Sequence, residues 1–315
     1  ICTFVVQFQY RKCNMILIAD SGSTKTDWVL MDGHSVIKRV KTQGINPFHQ
    51  NSKIIFHVLL DELLPHLSEA DSDIHDTGEV SFAPGIKAVY FYGSGCTPER
   101  CHVVEDELRH VFPDAGAIEV KGDLLAAARA VCGHQQGVAC ILGTGANSCC
   151  YDGKKIILNT PPLGYILGDE GSGAVLGRLF LNALFKGFLP ESLKIEFLEY
   201  SGMTYSDVIN RVYSQPLANR YLASIANFIA RHLEGEESLR LLIADNFHAF
   251  FHRNFVQYHP WMEIHFAGQK PVVGFVGGIA NQFREILAEV TESEGFRIGI
   301  VMKSPIDGLI QYHNY

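Results

Sequence analysis

Short apolar runs that stop at polar, glycine-bearing turns dominate the start of the chain, and helical periodicity dominates its middle. The run MILIAD at residues 15–20 ends in DSGSTKTD, and WVLM at 28–31 follows and closes at Asp32 and Gly33. Runs of that length bounded by turn residues predict strand, turn, strand. A third strand over 35–42 stops before GINP at 44–47, where glycine and proline break it, so the chain opens on a β-meander. Ile54, Ile55, Val58, Leu59, Leu63 and Leu64 recur on one helical face and predict a helix over 51–67, with Pro65 near its end. The acidic stretch 69–78 reads as a solvated loop. AVYFY at 88–92 predicts a buried strand stopped by Gly93, Ser94 and Gly95, and 98–111 a helix.

The same rhythm returns further on. IEV at 118–120 leads through Lys121 and Gly122 to Asp123, at the start of an alanine- and leucine-rich helix over 124–131. Residues 138–142 predict a buried strand ended by Gly143, Thr144 and Gly145, with a return strand over 148–151. After a Pro-Pro loop, GDEGSG at 168–173 leads into helices that continue to about 254. A strand over 271–276, a helix over 279–290 from Gly277 and Gly278, a strand over 296–302 and a short helix over 304–312 complete the chain. The pattern is α/β in two halves with similar openings.

Composition narrows the classes. A chain of 315 residues suits two domains, with a cleft between them as the first place to expect a ligand. Apolar residues at 47% exclude a largely disordered chain, and a formal charge of −8 without any basic run argues against nucleic acid. The eight cysteines form no C-x-x-C pair and no regular framework, which predicts free buried thiols in a reducing cytoplasm. Cys149 and Cys150, adjacent on a strand, should face opposite ways. No stretch of about 18 apolar residues predicts a membrane span. The 1–14 leader has none of the parts of a signal peptide, and the fold is expected to start at Met15.

Four constellations carry chemistry. In DSGSTK at 20–25, Gly22 frees backbone for an anion, Ser21, Ser23 and Thr24 bring hydroxyls, Lys25 a positive charge, and Asp20 a carboxylate placed to hold Mg²⁺ or its waters. An ordinary hairpin accounts for this turn taken alone. LGTGAN at 142–147 is a second glycine-lined turn, with Gly143 and Gly145, and neither turn has the Walker spacing. Gly277 and Gly278 stand at a strand-to-helix junction where unpaired N–H groups face a ligand. The run Gly171, Gly173, Gly177 lacks the dinucleotide-binding spacing. Finally, Asp123 and Asp169 each lie beside glycine at a helix start, where one could serve as a base for phosphoryl transfer and either could simply cap its helix.

Taken together, DSGSTKTDW at 20–28, ILGTGANS at 141–148, VGFVGGIA at 273–280 and SPIDGLIQYH from Ser304 resemble, in order and spacing, the N-acetylglucosamine kinase-like family. That family belongs to the superfamily of sugar kinases, actin and heat-shock chaperones, in the branch shared with dehydratase-activating ATPases. The resemblance runs from Met15 to the C-terminus. It implies two actin-like, ribonuclease H-like α/β domains flanking a nucleotide and sugar cleft, with the first at 15–118 plus a C-terminal helix over about 303–315, and the second at 119–302 with a helical insertion. It implies ATP and Mg²⁺, an amino sugar as partner, a homodimer, and a cytoplasmic protein that engages neither nucleic acid nor membrane. Residue by residue, it implies Asp123 as the base at the sugar 6-hydroxyl. Asn46, Asp169 and Glu170 would hold the sugar ring, and Thr144, Gly145 and Asn147 would face both sugar and γ-phosphate. NTPPL at 159–163 departs from the Gly- and Trp-containing stretch of animal members, where acetamido contacts are partly made, which leaves open which amino sugar is accepted.

An ATPase switch of the same fold without a sugar acceptor is the competing class. The dehydratase activators of that fold hold an iron–sulfur cluster with cysteines, and no suitable pair stands here. His248 and His252 have the i,i+4 spacing of metal ligands but, flanked by Phe247, Phe250 and Phe251, read as helix-packing residues.

Overall fold

The structure is a computed structural model that describes residues 15–22, 24–68 and 85–314. The expectations for the 1–14 leader, Ser23 and the 69–78 loop lie outside the described residues. The chain divides into two compact units, Ile1–Asp123 with His313–Tyr315, and Leu124–Tyr312.

The first unit is built on β1 (Met15–Ser21), β2 (Lys25–Asp32), β3 (Ser35–Gln43), β4 (Ile86–Gly93) and β5 (Ala117–Gly122), in the sheet order β3-β2-β1-β4-β5. The three meander strands pair antiparallel, whereas β4 and β5 join in parallel. Parallel pairing needs a crossover, and each is helical. The first comprises α1 (Ser52–His57), a π-helical segment (Val58–Leu63) and α2 (Leu64–Ser68); the second is α3 (Cys101–Val111). Asn51 starts α1 by accepting from the Ile54 N–H. Leu17, Ile18 and Ala19 of the central β1 are all fully buried, which is why that strand is a continuous apolar run rather than an alternation. Trp28 packs on Phe91 at 5.7 Å, and its indole N–H donates to Thr42 Oγ1 at 3.0 Å. His313 stacks on Tyr90 at 3.9 Å, with Nε2 2.8 Å from the Tyr92 hydroxyl.

The second unit begins in α4 (Asp123–Cys132) and repeats the sheet with β6 (Gln136–Leu142), β7 (Ala146–Asp152), β8 (Ile156–Asn159), β9 (Val272–Val276) and β10 (Arg297–Met302). Its order, β8-β7-β6-β9-β10, with two antiparallel and two parallel pairings, matches the first sheet strand for strand. Between β8 and β9 lie α5 (Gly164–Leu167), α6 (Gly173–Phe185), α7 (Glu191–Ser201), α8 (Tyr205–Tyr213), α9 (Ala218–Ser224), α10 (Ala226–Arg231), α11 (Glu237–Asn254) and α12 (His259–Phe266). After β9 come α13 (Gly278–Gln282) and α14 (Arg284–Ser293), and after β10 comes α15 (Ile306–His313). Cys149 joins the small cluster with Ala127, Ala128 and Val276, while Cys150 joins the large core with Phe180 and Phe275, the opposite facing that alternation predicts.

Several details differ from the sequence expectation. β5 pairs with β4 through Gly122, so the first unit extends to Asp123 and not to 118. α15 groups with the second unit as far as Tyr312, because Gly308 lies against the Ala130 backbone, where an added Cβ would sit 2.6 Å from the carbonyl oxygen. The expected helix over 279–290 is two helices, interrupted where Phe283 leaves helical geometry (φ −114°, ψ 34°) and buries its ring. β8 pairs with β7 at a position where the sequence pattern predicts no strand.

Candidate functional site

In the first unit the β1–β2 turn closes with the Gly22 N–H donating to the Lys25 carbonyl at 3.0 Å. Ser21 is fully buried, and its hydroxyl donates to the Ile45 carbonyl and accepts from the Ile45 N–H, both at 2.9 Å. Thr26 Oγ1 lies 2.7 Å from the same hydroxyl. The hydroxyl of Ser21 thus anchors the turn to residue 45, while Thr24 and Lys25 are exposed. Lys25 Nζ pairs with Asp27 at 2.6 Å, and Lys41 approaches the other Asp27 oxygen at 3.9 Å. Asp20 stands directly opposite Asp27 in the antiparallel register, so both side chains leave the sheet on one side. A carboxylate is the hard oxygen donor that Mg²⁺ takes, and Asp20 fits that ion, whereas Asp27 is paired with lysines.

Around the end of β4 the same unit gathers three further groups. The Ser94 N–H donates to the Ser21 carbonyl at 2.9 Å, and the Ser94 hydroxyl donates to Asp123 Oδ2 at 2.7 Å. Asp123 is the first residue of α4. Gly95 has φ +79° and lies so near Asn46 that a Cβ would sit 2.2 Å from Asn46 Oδ1. That oxygen accepts from the Phe48 N–H at 2.9 Å. The structure therefore brings Ser21, Asn46 and Asp123 into one neighbourhood through Ser94 and Gly95.

The second unit assembles its motifs more tightly. The β6–β7 turn closes through the Gly143 N–H to the Gly145 carbonyl at 2.9 Å, and the first residues of α6 donate to it, Gly173 N–H to Gly143 and Ala174 N–H to Thr144. Gly277, with φ +133°, lies against the same turn, where a Cβ would sit 2.2 Å from the Leu142 carbonyl oxygen. Asp169 also has a left-handed backbone, φ +57°, and its carboxylate reaches the space beside Gly145. Burial pushes the Asp169 pKa up, against the N–H groups of Gly164 and Ala146 that favour its ionised form. Strain at a half-buried acid is the kind of outlier that accompanies a working site. Asp169 does not cap α6; Ser172 does, accepting from the Val175 N–H. Glu170 pairs with Arg253 at 3.3 Å, and Asn147 Oδ1 accepts from Asn159 Nδ2 at 2.8 Å.

The glycines of these turns fall into two kinds. Gly277 is required by its backbone angle and its neighbours, and Gly177 by the α9 backbone, since a Cβ there would meet the Leu222 carbonyl at 2.0 Å. At Gly143 and Gly278 neither reason applies, because φ is ordinary and nothing lies within 4 Å of an added Cβ. Their missing side chains serve no internal contact.

Ser94, Asp27, Arg253 and Asn246 meet the motif residues without being part of the sequence expectation. Asn246 is buried and receives the Gly171 N–H at 3.0 Å, which fixes the carboxylate-bearing loop from a helix far along the chain. Only Ser94, set between two glycines at a strand end, carries a local signal. The cysteines of the described residues are free, and burial pushes the thiols of Cys132 and Cys150 up to about 12, so neither is a thiolate at neutral pH. Among the described residues no helix is long and apolar enough to cross a membrane.

No protein-family model matches the chain, and no curated protein does. Solved structures match along almost its whole length. One is a candidate N-acetylglucosamine kinase from Porphyromonas gingivalis, 44% identical, with a TM-score of 0.85 over 95% of this chain and 98% of that one. A second, a candidate N-acetylglucosamine kinase from Chromobacterium violaceum, is 15% identical with a TM-score of 0.68, covering 96% and 99%. A ROK family glucokinase from Streptomyces griseus, in complex with glucose and AMPPNP, is 13% identical with a TM-score of 0.51, covering 95% and 98%, and shares the fold. With two sheets of one topology and 44% identity across the Porphyromonas gingivalis protein, the chain belongs to the family of that sugar kinase, in the two-domain actin-like fold.

Proposed function

We propose that this chain is an ATP-dependent kinase that phosphorylates the 6-hydroxyl of N-acetylglucosamine. The observation that supports it most is the pairing of a 44% identical relative with an aspartate held at a helix start by a serine hydroxyl. Phosphoryl transfer asks a protein for position, charge neutralisation and a proton acceptor. Ser94 fixes Asp123 Oδ2, which leaves Oδ1 to take the proton as the sugar oxygen bonds to the γ-phosphorus and ADP departs with the bridging oxygen's electron pair. Asn46, Asp169 and Glu170 bind the sugar hydroxyls in this reading, as do Asn147 and Thr144. The turns at Gly22, Thr24 and Lys25, and at Gly143, Thr144 and Gly145, bind the phosphates through backbone N–H groups, and Gly277 and Gly278 accept the adenosine portion, at Gly278 against bare backbone. Asp20 holds Mg²⁺, which neutralises phosphate charge when bound. The protein acts as a cytoplasmic homodimer in this reading.

The test is a sugar panel. The purified chain is incubated with ATP, Mg²⁺ and N-acetylglucosamine, glucosamine or N-acetylmuramic acid, and the product is identified by mass spectrometry and phosphate-position mapping. N-acetylglucosamine should give the 6-phosphate with the highest kcat/KM. ADP release that none of the three sugars changes would favour the ATPase switch and end the kinase reading.

A further inference from the structure

His248 and His252 do not pack into the core as their phenylalanine neighbours suggest. Phe247, Phe250 and Phe251 are the buried residues of this part of α11, whereas the His248 and His252 side chains are 38% and 68% exposed. One helical turn apart, they share a face. That face meets Glu294, whose Oε1 lies 2.5 Å from His248 Nδ1 and 3.1 Å from His252 Nε2. The three donor atoms lie within 4.8 Å of one another.

We propose that His248, His252 and Glu294, none of them a kinase motif residue, form a binding site for a zinc-like divalent transition-metal ion. Two imidazoles at i,i+4 with one carboxylate are a nitrogen and oxygen set suited to zinc, with bonds of about 2.0–2.1 Å and a fourth position for water. The donors sit on rigid supports. Phe251 stacks on Phe296 at 5.4 Å, which locks α11 against the residue that leads from α14 into β10. Glu294 is the C-cap of α14, and Gly295 (φ +87°) ends the helix, with the Phe296 N–H bonded to the Thr291 carbonyl and the Gly295 N–H to that of Glu292. A carboxylate here faces the negative end of the α14 dipole while only 15% exposed, an arrangement that a cation compensates. The ion would tie the helical insertion to the C-terminal end of α14.

The full chain, stripped of metal by a chelator, is titrated with Co²⁺ and with Zn²⁺. We expect one Co²⁺ per chain with visible d–d absorption and no thiolate charge-transfer band. Affinity should fall at least about tenfold in His252→Ala and in Glu294→Gln. Zn²⁺ should raise the wild-type Tm by about 3 °C or more and leave both variants unmoved. Equal binding and equal Tm shifts in wild type and variants would overturn the site, as would cobalt spectra dominated by thiolate bands. His252 is exposed, so His252→Ala keeps the test valid even if Glu294→Gln perturbs folding.

Discussion

The two sheets share one strand order, yet their first turns are held differently. In the first unit side chains join the backbone bonds in the work: Ser21 clamps the β1 end to Ile45, and Lys25 and Lys41 flank Asp27. In the second, backbone does it, with the Gly143 and Thr144 carbonyls accepting from the start of α6 and Gly277 lying directly against the turn. A repeated topology therefore does not repeat its chemistry. The side-chain-built turn carries a carboxylate suited to a hard cation, whereas the backbone-built turn offers surface that no side chain covers.

Asp123→Asn tests the first unit's side-chain chemistry most severely. The amide still accepts from Ser94 but takes no proton, so kcat should fall at least about 10²-fold with the far-UV spectrum unchanged. Near-normal turnover would remove the base. On the backbone side, Gly277→Ala drives a methyl into the Leu142 carbonyl at a backbone angle alanine resists, and should cost about 3 kcal/mol or more by urea denaturation. Gly143→Ala meets nothing within the chain, so it should fold normally and raise the KM for ATP. Equal stability losses in the two variants would erase the distinction between the two kinds of glycine.

Smaller effects sharpen the contrast. Ser21→Ala strips a buried carbonyl and N–H of their partner and should cost about 1–3 kcal/mol, measured as a lower denaturation midpoint. Asp169→Asn addresses the acid whose pKa burial raises. A carboxyl with a raised folded pKa favours the native state below its unfolded pKa and loses that contribution as pH rises through the folded value. The asparagine variant, which also tolerates the left-handed backbone, should thus be at least as stable as wild type at neutral pH. That advantage should shrink on acidification, while the sugar KM rises. Thermal melts of both proteins across pH would check this, and a variant whose stability relative to wild type is lower at neutral than at acidic pH would refute it.

Strands and turns were legible because a buried run such as residues 15–20 and a turn such as DSGSTK are local signals. β8 escaped because its four residues alternate between partly buried and exposed, which is a weak edge-strand signature. The break at Phe283 depends on where its ring is buried, and the role of Asn246 on a loop far away in sequence. For His248 and His252, neighbouring phenylalanines misled because adjacent helical residues point about 100° apart. The motif residues Asp20, Asp123, Asp169 and the turn glycines are visible in sequence, whereas Asp27 and Arg253 become meaningful only through the partners that folding supplies.

The helical insertion also orders events during synthesis. β1 meets β4 at Met15 and Ile86 after one modest crossover, but β6 must wait for β9, with Val138 opposite Val273 and eight helices made in between. As the chain leaves the ribosome, the apolar β6 has only β7 beside it, and its other edge stays open to wrong partners until β9 has been made. Slow or aggregation-prone production of this protein would trace to that waiting edge, and chaperones that shield nascent strands should relieve it.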